Sequence, residues 1–320
     1  MGSTSADDIP RISFIIPAKN ESRNIGETVR VVTSHAWDFP VEVIVVDNDS
    51  SDDTREIAQA AGARVFIKTE GTIGEVRNYG VANSAGAVLV FIDADISLTD
   101  EWFREIDSVI QSIEDNPYLI TGSHCVPPTD GGWLEKHWFG KASQAEKTTH
   151  LGTGHLLVSR QLFNRLNGFS PAHKTGEDYD FCIRAKKLGG IVVNNPGLKA
   201  IHRGYPKSLW EFVRREAWHG EGDTGSIAAI ISSKVAVIAL LIFLFHILII
   251  SAFVHEPVST AFLLAGLLGI VGLLLLSSVY KFRHAGVFSV LINSVVFYFY
   301  YIGRLFAVLN IALGKRVRAS

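Results

Sequence analysis

From Val235 to Tyr280 the chain carries one charged side chain, Glu256, whereas the preceding 234 residues are as charged as a soluble protein. Removal of charge over so long a run indicates hydrocarbon surroundings and divides the chain into a polar first part and an apolar second part. Three apolar stretches fall at about 235–254, 258–280 and 286–312. About 20 helical residues cross the hydrocarbon core, so the first two stretches read as transmembrane helices. Their link, HEPVS, has no Lys or Arg, while KFRH at 281–284 is basic, which makes a hairpin that enters and leaves on the cytoplasmic side. The third stretch contains Asn293 and Arg304 and precedes a basic tail, 314–320. It either spans against the charge rule or bends back at the interface, so two to three helices are expected over 234–313, three being favoured. The N-terminal MGSTSADDIP lacks the apolar core of a signal peptide. The expectation is an integral protein of the cell membrane with its first domain on the cytoplasmic side.

The first hundred residues alternate between two patterns. RISFIIPA, VEVIVVD, ARVFIK and AVLVFID are short apolar runs, and unbroken runs of this kind mark strands buried on both faces. Between them, Ile25, Val29 and Val32 recur at helical spacing, as do Ile57, Ala58 and Ala61, and then Ile73, Val76, Tyr79 and Gly80. The alternation predicts a doubly wound, Rossmann-like α/β domain, in which ligands bind beyond the carboxyl ends of the strands. Those ends read Pro17-Ala18-Lys19-Asn20-Glu21, Asp47-Asn48-Asp49 and Asp93-Ala94-Asp95. Three polar strand ends at one edge make a site.

From Ser123 to His150, VPPTDGGWLEKHWFG places Pro, Gly and aromatics in a long connection, which predicts a functional loop region. THLGTGHLLVSRQLFNRLNGF then predicts a strand and a short helix, and TGEDYDFCIRAKKLGG a helix with an acidic start and a Gly stop. IVVNNPGLKAIHRG returns as extended structure. About residues 207–220, Trp210, Phe212, Val213, Ala217 and Trp218 lie beside Arg214 and Arg215. That pattern fits an amphipathic helix on anionic lipid or an ordinary helix packed on the domain. Cys125 and Cys182 form neither CxxC nor zinc spacing and read as small buried residues. A net charge of -2 offers no basic field for nucleic acid, and no GxGxxG or Walker sequence cradles a dinucleotide or ATP.

Asp93 and Asp95 are i and i+2 of an extended segment, so both carboxylates reach one point. Left alone they would repel, and one pKa would rise. A divalent ion removes the conflict, and hard oxygen ligands suit Mg²⁺ or Mn²⁺, which bridge carboxylates to a diphosphate. A D-x-D by itself is common; its place at the end of the fourth strand gives it weight.

SFIIPAKNESRNIGETV, EVIVVDNDSSDDT, GEVRNYGVANSAGAVLVFIDAD, NGFSPAHKTGEDYDFCIRAKKLGG and a late Arg/Trp element cover residues 11 to about 220. In this order they resemble the family 2 glycosyltransferases of GT-A fold, and the C-terminal helices are similar to those of membrane-anchored members. The resemblance implies a catalytic GT-A domain over 1–222, a nucleotide-sugar donor, Mg²⁺ or Mn²⁺, and an inverting transfer. It places Pro17, Ala18 and Glu21 along base and ribose, and Asp47, with Asp49 close by, at the nucleobase or ribose. Arg77 and Asn78 match the position where an arginine supports the nucleotide, with Val76 in place of the usual Ala. Asp93 and Asp95 match the metal-binding pair, and His202 falls where some members place a third ligand, an ordinary structural histidine being the alternative. Asp178 matches the catalytic base, and Glu177 supports it or contacts donor or acceptor. Without the resemblance, EDYD reads as a helix start whose dipole favours acids, and Asp180 is taken as structural. Gly154, with Gly152, lets backbone approach the sugar or acceptor, or marks a simple turn. The Q/R-x-x-R-W motif departs here. In Arg214-Arg215-Glu216-Ala217-Trp218, Ala217 occupies the second basic position. Arg214, Arg215, Trp218 and His219 are left as candidates for acceptor or diphosphate contact, and a processive polymer synthase is disfavoured.

Displacement at an anomeric carbon needs a stabilised leaving diphosphate and a deprotonated acceptor. The expected partners are a nucleotide-diphosphate sugar, a lipid-linked or glycan acceptor such as a polyprenyl phosphate, and membrane lipids; a homo-oligomer stays open. The alternatives are a transferase extending an exopolysaccharide or cell-surface glycan, and a non-catalytic membrane scaffold. Retention of Asp93, Asp95 and Asp178 together argues against the scaffold.

Overall fold

The computed structural model describes residues 9–140, 148–221, 227–254 and 260–312. The basic tail, most of MGSTSADDIP, the HEPVS link and residues 141–147 lie outside the described residues. The chain divides into two compact units: one runs through Thr129 and resumes up to Gly204, and the other holds the segment from Asp130 to Lys141 and everything from Tyr205.

In the first unit, β1 (Ile12–Ala18), β2 (Val41–Asp47), β3 (Arg64–Ile67) and β4 (Val88–Ile92) alternate with α1 (Ile25–Thr33), α2 (Thr54–Ala60) and α3 (Ile73–Ala82). β5 (Ile96–Leu98), α4 (Asp100–Asp115), β6 (Leu119–Gly122), β7 (His155–Ser159), α5 (Arg160–Arg165), α6 (Glu177–Lys187), β8 (Ile191–Asn194) and β9 (Ala200–His202) follow. The main sheet has seven strands in the order β3-β2-β1-β4-β7-β6-β8. Its first four are parallel, β7 runs antiparallel to both β4 and β6, and β8 lies parallel to β6. β1 shows why its apolar run is unbroken. Ile12, Phe14 and Ile16 face one side with Val29, Val32, Trp102 and Ile106, and Ile15 faces the other with Val46, Val76, Phe91 and Phe181.

Two features of register build the functional edge. Ala18 pairs with Asp47, so the carboxyl ends of β1 and β2 are level. Because β7 is antiparallel, its first residue, His155, stands opposite Ile92, and the Gly152–Gly154 segment arrives where β4 ends at Asp93. His155 is 1% exposed and accepts a 2.7 Å bond from Trp102 Nε1, which fixes that arrival. A separate two-stranded ladder pairs β5 with β9, setting Ile96 opposite His202 and so His202 beside Asp95. Cys182 is buried, Cys125 half-buried, and neither forms a disulfide.

The second unit contains α7 (Leu209–Gly220), α8 (Ile227–Ser232), α9 (Lys234–Val254), α10 (Thr260–Phe282) and α11 (Val287–Ala312). Among the described residues, three helices, over Lys234–Phe253, Thr260–Ala285 and Val287–Asn310, are long and apolar enough to cross a membrane. They support association with a membrane. The polar residues of the third find partners: Asn293 Nδ2 donates to the His137 carbonyl at 3.0 Å, and Arg304 pairs with Glu216 at 3.0 Å. The connection expected to be a functional loop is, over Glu135–Phe139, a helical turn. Its Leu134 and Trp138 pack with Phe212, Phe282, Val296 and Phe297, because aromatic area of that size is favourable to bury. α7 also belongs here. Phe212, Val213 and Ala217 are buried, while Trp210 and Arg214 are exposed.

Candidate functional site

At the end of β4, Asp93, Asp95 and His202 each offer one ligand atom, all within 4.8 Å of one another. Thr28 Oγ1 donates to the Ala94 carbonyl at 2.7 Å, and Arg203 N to the Asp95 carbonyl at 3.0 Å, so the turn is held from both sides. His202 Nδ1 lies 3.6 Å from Asp95 Oδ2. A Cβ on Gly204 would fall 1.8 Å from that same oxygen, and one on Gly154 would fall 3.0 Å from Asp93 Oδ2. Glycine at these positions leaves the space the carboxylates occupy.

Arg77 ties the acidic groups together. It projects from α3, whose start is fixed by a Thr72–Glu75 capping box. Arg77 is 3% exposed, and its guanidinium donates to Asp93 Oδ1 and to Glu177 Oε1, each at 2.7 Å. Glu177 and Asp178 occupy the first turn of α6, where the helix dipole favours carboxylates. Thr153 Oγ1 donates to Glu177 at 3.2 Å, and Gly152 lies against Asp178, 3.5 Å from Oδ2 to an added Cβ. Burial pushes the Asp178 carboxyl pKa up, against the pull of the Tyr179 amide and Arg77. Burial also raises Glu177, and Arg77 opposes it. Glu21 is raised by burial, with a bond from Asn24 opposing and with repulsion from Asp95 and Asp93 adding to it.

The fold thus gathers Glu21, Arg77, Asp93, Asp95, Gly154, Glu177, Asp178 and His202 at one edge, with Pro17 and Ala18 buried in the adjoining end of β1. Asp47 is fully buried; its Oδ2 accepts from Arg55 Nε at 2.6 Å and from Ser50 N at 3.1 Å, and its Oδ1 has no partner among the described residues. Asp49 is exposed in the left-handed region, φ 61°. Asn78 is committed elsewhere. Its amide bonds both the carbonyl and the N–H of Phe169, at 2.8 and 2.9 Å, clamping the segment that leads to α6. Arg214, Arg215, Trp218 and His219 belong to the second unit. Arg214 is exposed, Trp218 rests beside His219 at 4.8 Å, and the His219 pKa is pushed down to about 4 by burial and Arg215. Residues absent from the sequence reading are Arg55, Thr153 and Gly204. Only Gly204, directly after His202-Arg203, carried a local signal.

A mixed sheet with helices on both faces and a metal-capable acidic pair beyond its parallel half is the GT-A architecture of a glycosyltransferase. Residues 13–172 match the family described as glycosyl transferase family 2. Over 228 residues the chain is 37% identical to glycosyltransferase AglE of Haloferax volcanii, covering 67% of this chain and 73% of that protein. It is 26% identical over 196 residues to a dolichol-phosphate mannosyltransferase of Pyrococcus furiosus, covering 60% of this chain but only 51% of that relative. Among solved structures, mannosyltransferase PcManGT from Pyrobaculum calidifontis, in complex with GDP-Man and Mn²⁺, matches with a TM-score of 0.58 at 17% identity. That match spans 96% of this chain and 88% of the other, and it concerns the fold. The chain belongs to glycosyltransferase family 2 and is a glycosyltransferase.

Proposed function

We propose that this chain transfers a sugar, with inversion, from a nucleotide-diphosphate sugar to an acceptor held at a membrane, such as a polyprenyl phosphate or a lipid-linked glycan. The observation that carries this reading is the Asp93–Asp95–His202 group, within 4.8 Å, joined through Arg77 to the acidic start of α6. Two carboxylates and an imidazole suit Mn²⁺ or Mg²⁺, and glycine at position 204 keeps the Asp95 carboxylate in its place. When bound there, the ion would neutralise charge gathering on the departing diphosphate. The relatives support the same classes: one is named for dolichol phosphate, and the solved neighbour holds GDP-Man and Mn²⁺. The basic KFRH segment supports a cytoplasmic placement of the catalytic unit.

Arg77 takes Asp93 Oδ1 and leaves Oδ2, beside Gly154, toward a ligand. Glu177 neutralises the second half of the guanidinium and so keeps Arg77 in place. Asp178 takes the proton of a hydroxyl acceptor at its carboxylate, and the pKa raised by burial makes it the stronger base. An acceptor phosphate is already anionic and needs no such base. The test is turnover of nucleotide sugars with Mn²⁺ by the full chain and by Asp95→Ala. Removing one electrostatic stabiliser costs about 10²–10³-fold; equal inactivity of both proteins across the donors would sink the proposal.

A further inference from the structure

The second unit holds a group of cations to which the transfer steps above assign no role. Lys281, near the C-terminal end of α10, is exposed, and its ammonium lies 3.9 Å from the centre of the Trp138 ring and 5.2 Å from that of Phe282. The neighbouring ring, Phe139, stacks on Tyr205 at 4.0 Å, and the Arg215 guanidinium covers the two at 5.0 and 5.8 Å. Arg304 lies 5.0 Å over Tyr300 and donates to Glu216 Oε2 at 3.0 Å, while Glu216 Oε1 stands 4.0 Å from Arg215. One buried carboxylate, Glu216, therefore serves both arginines. Among the described residues, Lys281 has rings beside it and no carboxylate within ion-pair distance. His219, its pKa pushed down to about 4 by burial and Arg215, is neutral near pH 7, so the excess charge is that of Lys and Arg.

Ring faces hold cations without consuming their N–H donors. A stacked guanidinium keeps its in-plane fork, which matches two phosphate oxygens. The cluster also lies at the end of a helix long and apolar enough to cross a membrane, where lipid phosphates gather. We propose that Lys281 and Arg215, set on the Trp138, Phe139 and Tyr205 rings, form a site for a lipid-borne phosphate, the head group of a polyprenyl phosphate or of an anionic phospholipid. Where that lipid is the acceptor, the inference rests on the transferase reading; the binding itself does not.

The test uses the full chain in zwitterionic nanodiscs, titrated with farnesyl phosphate and with farnesol, binding being followed by tryptophan fluorescence and melting temperature. Farnesyl phosphate is expected to bind and stabilise, and farnesol at equal concentration to do neither. Lys281→Met, which keeps the length of the side chain, weakens farnesyl phosphate by about tenfold or more, and Lys281→Arg restores it. Adding phosphatidylglycerol to the nanodiscs separates the sources: competition assigns the site to phospholipid head groups, and its absence assigns it to polyprenyl phosphate. Equal binding of farnesol and farnesyl phosphate by the unaltered chain overturns the site without any variant having to fold. So does parent-like affinity in Lys281→Met. A nucleotide-sugar titration in the same nanodiscs keeps the two readings apart, because loss of phosphate selectivity with donor binding intact sinks this site alone.

Discussion

Arg77→Met should unsettle the catalytic unit in a way that depends on pH. Arg77 is 3% exposed and neutralises Glu177, itself 6% exposed, through a 2.7 Å contact. Breaking a buried pair from one side costs about 3–5 kcal/mol. The Asp93 side chain is 34% exposed, so solvent screens its loss and it adds little. The expected cost at neutral pH is therefore about 3 kcal/mol, near the low end, because Glu177 can take up a proton. For a domain of about 200 residues that lowers the melting temperature by roughly 6–12 °C. The folded-state pKa of Glu177 is already raised by burial with Arg77 present, and removing Arg77 raises it further. A raised carboxylate favours the fold below its unfolded pKa, and that contribution is lost as pH rises through the folded value. The deficit of Arg77→Met should hence shrink as pH falls toward about 4, and Arg77→Met/Glu177→Gln should recover much of it at neutral pH. Melting curves of the full chain at several pH values decide. A single variant that melts with its parent, or a double variant no better than the single, would refute the reasoning.

Asp178→Asn should raise the melting temperature at neutral pH, because burial raises the Asp178 pKa and the ionised form strains the fold. The same change should cost hydroxyl-acceptor transfer about 10²–10⁴-fold and leave transfer to a phosphate acceptor nearly intact, as initial rates would show. In the unaltered enzyme the hydroxyl-acceptor rate should fall as pH drops through that raised pKa. Gly204→Ala places a Cβ 1.8 Å from Asp95 Oδ2 and should displace that carboxylate. Mn²⁺ titrated by calorimetry would then bind at least about tenfold more weakly, with only a small change in melting temperature.

The parallel half of the sheet was legible because β1, β2 and β4 are apolar on both faces, and that pattern survives in one dimension. Helix α4 is missing from the sequence-derived elements although its signal is local, a Thr99 cap before spaced Trp102, Ile106, Val109 and Ile113. The antiparallel direction of β7 was not readable. A strand's apolar run has no polarity, and here polarity brings Gly154 to Asp93. The acidic members of the site stood at strand ends and a helix start, where position alone marks them. Their link did not, since Arg77 meets Glu177 across 100 residues of chain. The aromatics of WLEKHWF looked like loop residues because their partners, among them Phe282 and Phe297, lie far along the chain.

The central claim is that Asp93 and Asp95 hold a divalent ion against the diphosphate of a sugar nucleotide. It is tested most directly by thermal-shift titration of the full chain with nucleotide-diphosphate sugars, with and without Mn²⁺, beside Asp95→Asn. A bound donor at a hundred times its Kd stabilises by about 2.7 kcal/mol. The account predicts a shift of that order for at least one donor, dependent on Mn²⁺ and absent in Asp95→Asn. A shift that persists without metal or in the variant, or no shift with any donor, would contradict it.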